Sequence, residues 1–149
     1  MSSKILERMM SENYKIISKF IKDISGETPD IETYLYAKDY ISKYQLNIEI
    51  NSRPLKKQII EVNTMLKFHD PSESKKKAHF EMTYTTVVNL NDEIKDKNIL
   101  QKIILCDVQK EIYPEIEKAL LSLLHTSGYP NIKFDKKVDF EELYNKKFN

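Results

Sequence analysis

The sequence predicts an α+β domain in which a four-stranded antiparallel sheet comes first and C-terminal helices pack on one of its faces. Two observations predict this class. Apolar and polar residues alternate with a period of two in three successive segments between residues 44 and 90, and apolar residues then recur at helical spacing from residue 94 onward. The chain has 149 residues, of which 40% are hydrophobic, which suits a single domain with its own core.

The first elements of this single domain, residues 1–149, are an arm and a strand. Residues 1–13 are predicted to form an ordered arm or a short helix, because four apolar side chains recur there at near-helical spacing. In the next segment Tyr14, Ile16, Phe20 and Ile24 fall on one strand face, and Ile17 and Ile21 fall on the other. This pattern is typical of a strand that is covered on both sides. A helix that buries Tyr14, Ile17, Ile21 and Ile24 is the alternative.

Residues 28–44 are predicted to leave the sheet for a helical turn or two. Thr28 and Pro29 fit a helix cap and a first helical turn. Five side chains then follow at helical intervals: Ile31, Tyr34, Leu35, Lys38 and Ile41.

The three alternating segments predict an antiparallel meander with one apolar and one wet face. Turn-forming residues at 51–54 and 69–74 are expected to separate the strands. The predicted apolar faces are Leu46, Ile48 and Ile50 in the first segment, Ile60, Val62, Thr64, Leu66 and Phe68 in the second, and Phe80, Met82, Tyr84, Thr86, Val88 and Leu90 in the third.

Helices are predicted for the rest of the chain. A helix-starting cluster at residues 91–93 precedes the first helical run, which is Ile94, Leu100, Ile103, Ile104 and Val108. A second run consists of Ile112, Ile116, Leu120, Leu123 and Leu124. Pro114 is expected to split or start that second helix, and Gly128 to end it. A short terminal helix is expected to begin at Asp139.

Charge and motifs argue against catalysis and against bulk electrostatic attraction. Lys plus Arg is 24 and Asp plus Glu is 23, so a net charge of +1 offers no general attraction to nucleic acid or anionic lipid. His69, His79 and His125 show no metal-ligand spacing, and Cys106 lies among aliphatic residues without a basic partner. We therefore predict no catalytic residues, no metal site, no cofactor, no nucleic-acid partner and no membrane insertion. A cytoplasmic location is expected because no secretory segment is visible.

Aromatic residues point to a binding surface instead. Tyr34, Tyr36, Tyr40 and Tyr44 occur within eleven residues of an irregular segment. Phe140, Leu143 and Tyr144 belong to the terminal helix, which is free to pack beside that segment. Tyrosine offers a large apolar face and one hydroxyl with few rotors to freeze, which suits a groove for extended apolar polypeptide. These seven residues are the predicted groove as a set, although for any single tyrosine the favoured explanation is that it anchors the segment to the domain.

Three motifs in this sequence resemble the SecB family of bacterial protein-export chaperones. Residues 22–29, KDISGETP, are similar to the family's K-D-[IL]-S-x-E-x-P signature. Residues 128–130, GYP, and residues 138–144, VDFEELY, are similar to its G-[FY]-P and [VI]-[ND]-F-x-x-L-[FY]. Order and spacing agree over most of the chain after residue 13. Two stretches depart from the family, residues 83–86 and 113–117.

The resemblance implies a fold and a function. It implies that a crossover loop follows the first strand and walls a client groove with the terminal helix, and that the protein is an ATP-independent holdase for unfolded preproteins. It implies a dimer of dimers that associates through the long helix, here Ile112, Ile116, Leu120, Leu123 and Leu124. It also implies docking to the SecA motor through an acidic surface at Asp23, Glu27 and Glu81.

The sequence also allows other functions. One is a specialised SecB-like chaperone for a dedicated client such as an antitoxin. Another is an assembly adaptor that binds one folded partner through the wet face of the sheet. A third is an enzyme of unrecognised type, which needs a pocket with convergent polar groups.

Overall fold

The computed structural model describes residues 13–91 and 94–148, and its strands form one antiparallel sheet. The strands are β1 (Tyr14–Glu27), β2 (Gln45–Lys56), β3 (Ile59–His69) and β4 (His79–Leu90). Their order across the sheet is β1-β4-β3-β2. Since β1 pairs with β4, the chain crosses from one edge of the sheet to the other before β2 begins. The predicted fold class and the crossover are confirmed, whereas the predicted arm lies outside the described residues except for Asn13.

The helices occupy the crossover and the C-terminal part of the chain. They are α1 (Ile31–Tyr40) with a 3-10 turn (Ile41–Lys43), α2 (Lys97–Lys102), a π-helical turn (Ile103–Asp107), α3 (Val108–Thr126) and α4 (Phe140–Phe148). The segment from Lys97 to Thr126 is continuously helical. As predicted, α3 ends just before Gly128, which has a φ of 107°, and α4 begins after Asp139, whose side chain accepts a hydrogen bond from the Glu142 N–H at 3.0 Å.

The core lies between one face of the sheet and α3. The predicted apolar faces of β3 and β4 are buried, with Leu66, Phe80 and Met82 among the most enclosed side chains. From the other side α3 contributes Ile112, Ile116, Leu120 and Leu124, all 0% exposed. One face of the sheet is thus covered by helices, as the alternation predicts.

A polar contact is buried within this core. The Thr64 hydroxyl donates to Gln109 Oε1 at 2.9 Å, and Gln109 Nε2 donates to the Ile104 carbonyl at 3.3 Å. Thr64 and Gln109 are fully enclosed. Because buried polar groups are costly when unpaired, this contact fixes the register of α3 on β3 and supplies a donor to the π-helical turn.

The prediction that β1 is covered on both sides is wrong. Ile17, Phe20, Ile21 and Ile24 are 52%, 48%, 43% and 41% exposed. Bulges between Ile16 and Ser18 and between Ile21 and Asp23 also shift its register against β4, so the predicted faces do not hold along the strand. The helix alternative is excluded as well, because β1 is a strand.

The predicted turn at residues 51–54 is also wrong, because these residues lie within β2. Pro54 is tolerated there since β2 is an edge strand, where a missing N–H can face away from the neighbouring strand. The chain turns instead at Gln58, which has a φ of 70°.

Helix positions need three further corrections. Asp30 rather than Thr28 caps α1, accepting a hydrogen bond from the Thr33 N–H at 2.8 Å. The buried face of α1 is formed by Thr33 and Ala37, while Ile31 and Leu35, at the predicted helical intervals, are exposed. In the C-terminal part, Asp96 caps α2, so Ile94 precedes the helix. Residues 92 and 93 of the predicted start lie outside the described residues.

Pro114 neither splits nor starts a helix. It lies inside α3, where a proline costs about 3 kcal/mol because it lacks an N–H. Burial of Ile112 and Ile116 on either side of it offsets that cost, since each side chain contributes roughly 1.5–3 kcal/mol when fully buried.

The buried polar contact is tested by a double-mutant cycle. Thr64→Val and Gln109→Met each leave a buried polar atom without its partner, so each is expected to lower the free energy of unfolding by about 1–3 kcal/mol. The double variant removes both groups, and its loss should be smaller than the sum of the two. Urea unfolding at a fixed protein concentration measures this, with the exposed Ser122→Ala as control. Additive losses would contradict the assigned contact.

Candidate functional site

A cleft of about 1090 Å³, here called the main cleft, runs along the edge strand β2. Residues 46–49 of β2 form one wall, and residues 133–139 with the first turn of α4 form the other. Aromatic rings underlie it: Phe68 lies 5.5 Å from Tyr44 and 5.6 Å from Phe134, measured between ring centroids. The floor of the main cleft is therefore largely apolar, and charged side chains stand around it.

The other part of this floor is Tyr113, whose ring meets Phe140 edge to face at 5.2 Å. Burial raises the pKa of Tyr113 to about 12, with a smaller contribution from Glu117. The Tyr113 hydroxyl is buried and has no hydrogen-bond partner within the described part of the chain. It is a polar group beneath an otherwise apolar floor.

A smaller cleft of about 470 Å³, the side cleft, lies between α1 and residues 128–132. Tyr34 closes one side of it: its hydroxyl donates to the Gly128 carbonyl at 3.0 Å, and its ring lies 5.5 Å from that of Tyr129. A Cβ at position 128 would lie 2.8 Å from the Tyr34 ring, so this approach needs glycine. Ser42 lines both clefts, which makes them neighbours on one surface.

The structure brings three of the seven predicted groove residues to these clefts. Tyr34 lines the side cleft, and Tyr44 and Leu143 line the main cleft. Tyr44 is only 8% exposed, because its ring packs on Phe68 and its hydroxyl accepts a hydrogen bond from the Ala78 N–H at 3.2 Å. It serves mainly as a support for the floor.

The other four predicted residues lie elsewhere. Phe140 is 3% exposed and packs beneath the main cleft against Tyr113. Tyr36 and Tyr40 stack on one another at 4.6 Å and line neither cleft. Tyr144 turns towards α2, with its hydroxyl 3.5 Å from the Asn98 carbonyl oxygen. The terminal helix thus walls the main cleft through Leu143 rather than through its aromatic rings.

Sequence reasoning missed several lining residues. Phe134 and Val138 belong to a segment without regular structure, so no periodicity marked them. Phe68 was predicted as core, which it is, but its place under a cleft depends on β2 being an edge strand. Strand order is not visible in an alternation pattern, since central and edge strands can alternate alike.

The three predicted motor-docking carboxylates share the helix-free face of the sheet. Opposite residues on antiparallel neighbours point to the same face, and β1 pairs Asp23 with Thr83, Ser25 with Glu81 and Glu27 with His79. All three carboxylates are exposed. The bulge after Ile21 contributes to this arrangement, because it turns Asp23 onto that face.

Basic side chains lie on the same face, so its charge is mixed. Lys67 stands opposite Glu81. Arg53 Nε lies 2.5 Å from Glu61 Oε2, and this hydrogen bond holds the pKa of the Glu61 carboxyl below its usual value. The Asn63 amide also donates to Glu61 at 3.3 Å, which makes a partly enclosed polar network beside Asp23.

Most of the predicted oligomer-interface residues are core residues of the protomer. Ile112, Ile116, Leu120 and Leu124 are sealed between α3 and the sheet, so their side chains are not available to a second chain. This corrects the assignment of those four, which was implied by the resemblance to the family alone. Leu123 alone is partly exposed, and it lies at the β1 edge, 3.5 Å from a Cβ built on Gly26.

Neither a metal-binding cluster nor an exposed thiol is found among the described residues. No cluster of His, Cys, Asp and Glu in residues 13–91 and 94–148 could hold a metal ion. Cys106 is buried, and burial raises the pKa of its thiol. None of the described helices has the length and apolar character needed to cross a membrane.

Comparisons with known proteins agree with this architecture. Residues 7–149 match the SecB family, described as preprotein translocase subunit SecB. A protein from Pelagibacter ubique (strain HTCC1062) named as protein-export protein SecB is 58% identical over 140 residues, which cover 94% of this chain and 100% of that protein. The protein-export protein SecB of Rickettsia akari (strain Hartford) is 27% identical over 133 residues, covering 89% and 86%.

A solved structure shares the fold at low sequence identity. It is the Mycobacterium tuberculosis Rv1957 SecB-like chaperone in complex with a ChAD peptide from the Rv1956 HigA1 antitoxin. It is 9% identical with a TM-score of 0.62, and the match covers 90% of this chain and 98% of that one.

Proposed function

Because the chain belongs to the SecB family of protein-export chaperones, we propose that it holds unfolded preprotein segments in the main cleft and the adjoining side cleft. The observation that carries this proposal is the main cleft itself. Its volume of about 1090 Å³ lies at the upper limit of small-molecule sites, and aromatic rings form its floor.

The proposed binding chemistry needs neither ATP nor a cofactor. Phe68 and Phe134 offer apolar faces to any extended segment, and Leu143, 43% exposed, offers an aliphatic contact at the rim. Each such contact is weak and tolerant of sequence, so binding is broad and reversible. We also propose a cytoplasmic location, because preproteins are still unfolded there before export.

Client holding is tested by removing apolar side chains from the main cleft. The variant Phe134→Ser/Leu143→Ser should suppress aggregation of a chemically unfolded preprotein several-fold less well, because it loses apolar contact area in the main cleft. Circular dichroism verifies that the variant is folded, since Phe134 also packs on Phe68. Ile99→Ser is the matched control, since Ile99 is 48% exposed on α2 and lines neither cleft. Light scattering of the aggregating preprotein is the measurement. Equal suppression by both variants would argue against the main cleft as the holding site.

A dedicated client is a second candidate function. The structural neighbour is a SecB-like chaperone in complex with an antitoxin peptide, which favours considering a single client such as an antitoxin. A panel of unrelated unfolded proteins separates the two candidates: a general holdase keeps most of them in solution, whereas a dedicated chaperone keeps few. An adaptor for a folded partner would keep none.

The SecA motor is the partner that we propose for the helix-free face. Asp23, Glu27 and Glu81 lie together there, and no helix covers them. Lys67 beside Glu81 weakens the negative field, so the proposed contact depends on local pairs and should be sensitive to salt.

Charge reversal tests the motor contact. Asp23→Lys/Glu27→Lys should weaken SecA binding at least tenfold and leave aggregation suppression unchanged, because the main cleft lies on another edge of the sheet. Glu32→Lys/Asp39→Lys on α1 changes the net charge by the same amount and should bind SecA normally. Calorimetric titration at low and moderate salt measures the affinity. SecA binding that is the same in both variants would remove these residues from the contact.

A homo-oligomer is proposed through β1 rather than through the buried face of α3. Four exposed apolar side chains (Ile17, Phe20, Ile21 and Ile24), here called the β1 patch, lie along this edge strand. Ile21 and Ile24 pair with Tyr84 and Met82 on the helix-covered face, Phe20 pairs with Thr85 on the other face, and Leu123 of α3 lies near Gly26 of the same strand. Patches of this kind mark protein contacts. The dimer of dimers expected for the family needs this contact and a further one.

Light scattering tests the β1 patch. Ile17→Lys/Ile24→Lys places charges in the proposed interface and should reduce the measured mass, down to that of one chain if this contact comes first in assembly. Ile31→Lys/Leu35→Lys, on the exposed face of α1, is the matched control and should keep the parent mass. Circular dichroism verifies that both variants are folded. An unchanged mass for the β1 variant would contradict the proposal.

A further inference from the structure

Four side chains form a row across the helix-free face, at the end of the sheet where β1 ends and β4 begins. Glu27 of β1 pairs with His79 of β4. His79 pairs in turn with His69 of β3, which pairs with Gln45 of β2. Residues that pair directly on antiparallel strands share a face, with Cβ atoms about 4.5–5.5 Å apart. The two imidazoles of this row, here called the histidine row, are therefore neighbours, and one of them adjoins a carboxylate.

The rings of the histidine row are accessible on that face. His79 is exposed and His69 is half-buried. The amide nitrogen of Asn47 lies 2.8 Å from His69 Nε2, and Asn47 is on the same face, opposite Lys67. With the amide nitrogen as donor, Nε2 accepts, so this contact belongs to a neutral imidazole. A proton on Nε2 would turn that nitrogen into a donor and would require the Asn47 amide to turn over.

Charged side chains of both signs lie around the two histidines: Glu27, Glu81, Asp70, Lys67 and Lys77. Lys67 stands opposite Glu81, and Lys77 interacts electrostatically with Asp70, so these charges offset one another. Glu27 forms no ion pair within residues 13–91 and 94–148. The charge of the histidine row is therefore set by Glu27 and the imidazoles. It is one negative charge when both rings are neutral and one positive charge when both are protonated.

Resting on the proposed motor contact, we propose that the histidine row makes partner binding at the helix-free face dependent on pH. Histidine is the side chain that ordinarily changes its charge between about pH 5 and pH 8. Glu27 belongs to the row and Glu81 lies beside it, and both are proposed contact carboxylates. A proton on either imidazole thus lies next to the negative charge that a basic partner surface would meet. Acidification turns the row positive and weakens the contact, and a return to alkaline pH restores it.

Protonation and docking are reciprocally linked in this arrangement. If protons on the histidine row weaken the binding of a basic partner, that partner must weaken the binding of those protons by the same factor. Docking at mildly acidic pH therefore expels protons from the row. Proton release gives a second measurement of the same coupling, and it does not depend on comparing affinities at different pH values.

SecA binding at two pH values tests the histidine row. Because SecA has titratable groups of its own, the comparison is made between variants of this chain. From about pH 8 to about pH 6 the parent should lose at least about fivefold more affinity than His69→Gln/His79→Gln, which keeps polar side chains but cannot gain charge. His125→Gln is the matched control and should lose as much as the parent. His125 lies at the end of α3, with Nε2 3.0 Å from the Ile132 carbonyl oxygen.

Calorimetric titration in two buffers that differ in ionisation enthalpy counts the protons released on binding. Near pH 6.5 the parent and His125→Gln should each release more protons per bound chain than His69→Gln/His79→Gln. Circular dichroism at both pH values verifies that all variants are folded. Equal pH dependence or equal proton release in the parent and the double variant overturns the proposal. A parent chain that binds no SecA at either pH contradicts the motor contact itself and removes the proposed role of the row with it.

Discussion

Packing of α3 on the central strands is the contact on which the rest of the structure depends. The two inner strands, β3 and β4, bury their apolar faces against it, and the Thr64–Gln109 contact fixes how the helix sits along them. A hydrophobic face alone specifies the position of the helix less strictly, because apolar contacts are not directional. A buried hydroxyl that needs one particular amide specifies it more strictly, because each displaced register leaves both polar groups unpaired. The π-helical turn before α3 is tied to the same side chain, since Gln109 Nε2 donates to the Ile104 carbonyl.

The same arrangement leaves the two outer strands with less cover, and the proposed contacts of the protein lie there. One α-helix of 19 residues covers the centre of a sheet of four strands, so each edge is completed by something smaller. At β2 the covering elements are α4 and the irregular segment 133–139, and the main cleft remains between them and the strand. At β1 the described contacts to the helices include the Lys19–Glu115 ion pair at 2.6 Å and the hydrogen bond from the Tyr14 hydroxyl to Glu111, and the β1 patch remains exposed. Both edges of the sheet stay partly uncovered because one helix of this length covers only the central strands.

The sequence predicts the fold well and the site only in part, for physical reasons. Strict alternation in β3 and β4 identifies their buried faces, because a period of two has one interpretation when the other face is wet. In β1 two bulges reverse that period, and a bulge leaves no mark in composition. Pro54 and Pro114 wrongly predict a turn and a helix break. Pro54 is tolerated because β2 is an edge strand, and Pro114 because the residues on either side of it are buried. The density of tyrosines along residues 34–44 predicts the groove there, but Tyr36 and Tyr40 pair with one another. The main cleft lies between β2 and residues 133–139, which are distant in sequence, so local sequence patterns do not reveal it.

An open strand edge ordinarily invites self-association, and the main cleft restricts this without closing the edge. Residues 133–139 stand opposite β2, so a segment that reaches the open edge must enter between these two walls. Lysines at 133, 136 and 137 are exposed on that wall together with Asp135, so its charge is mixed. In the proposed holding site, this enclosure favours a single extended chain over a folded sheet. A holding site built in this way distinguishes clients by conformation before sequence, which is the property that a chaperone for many preproteins requires.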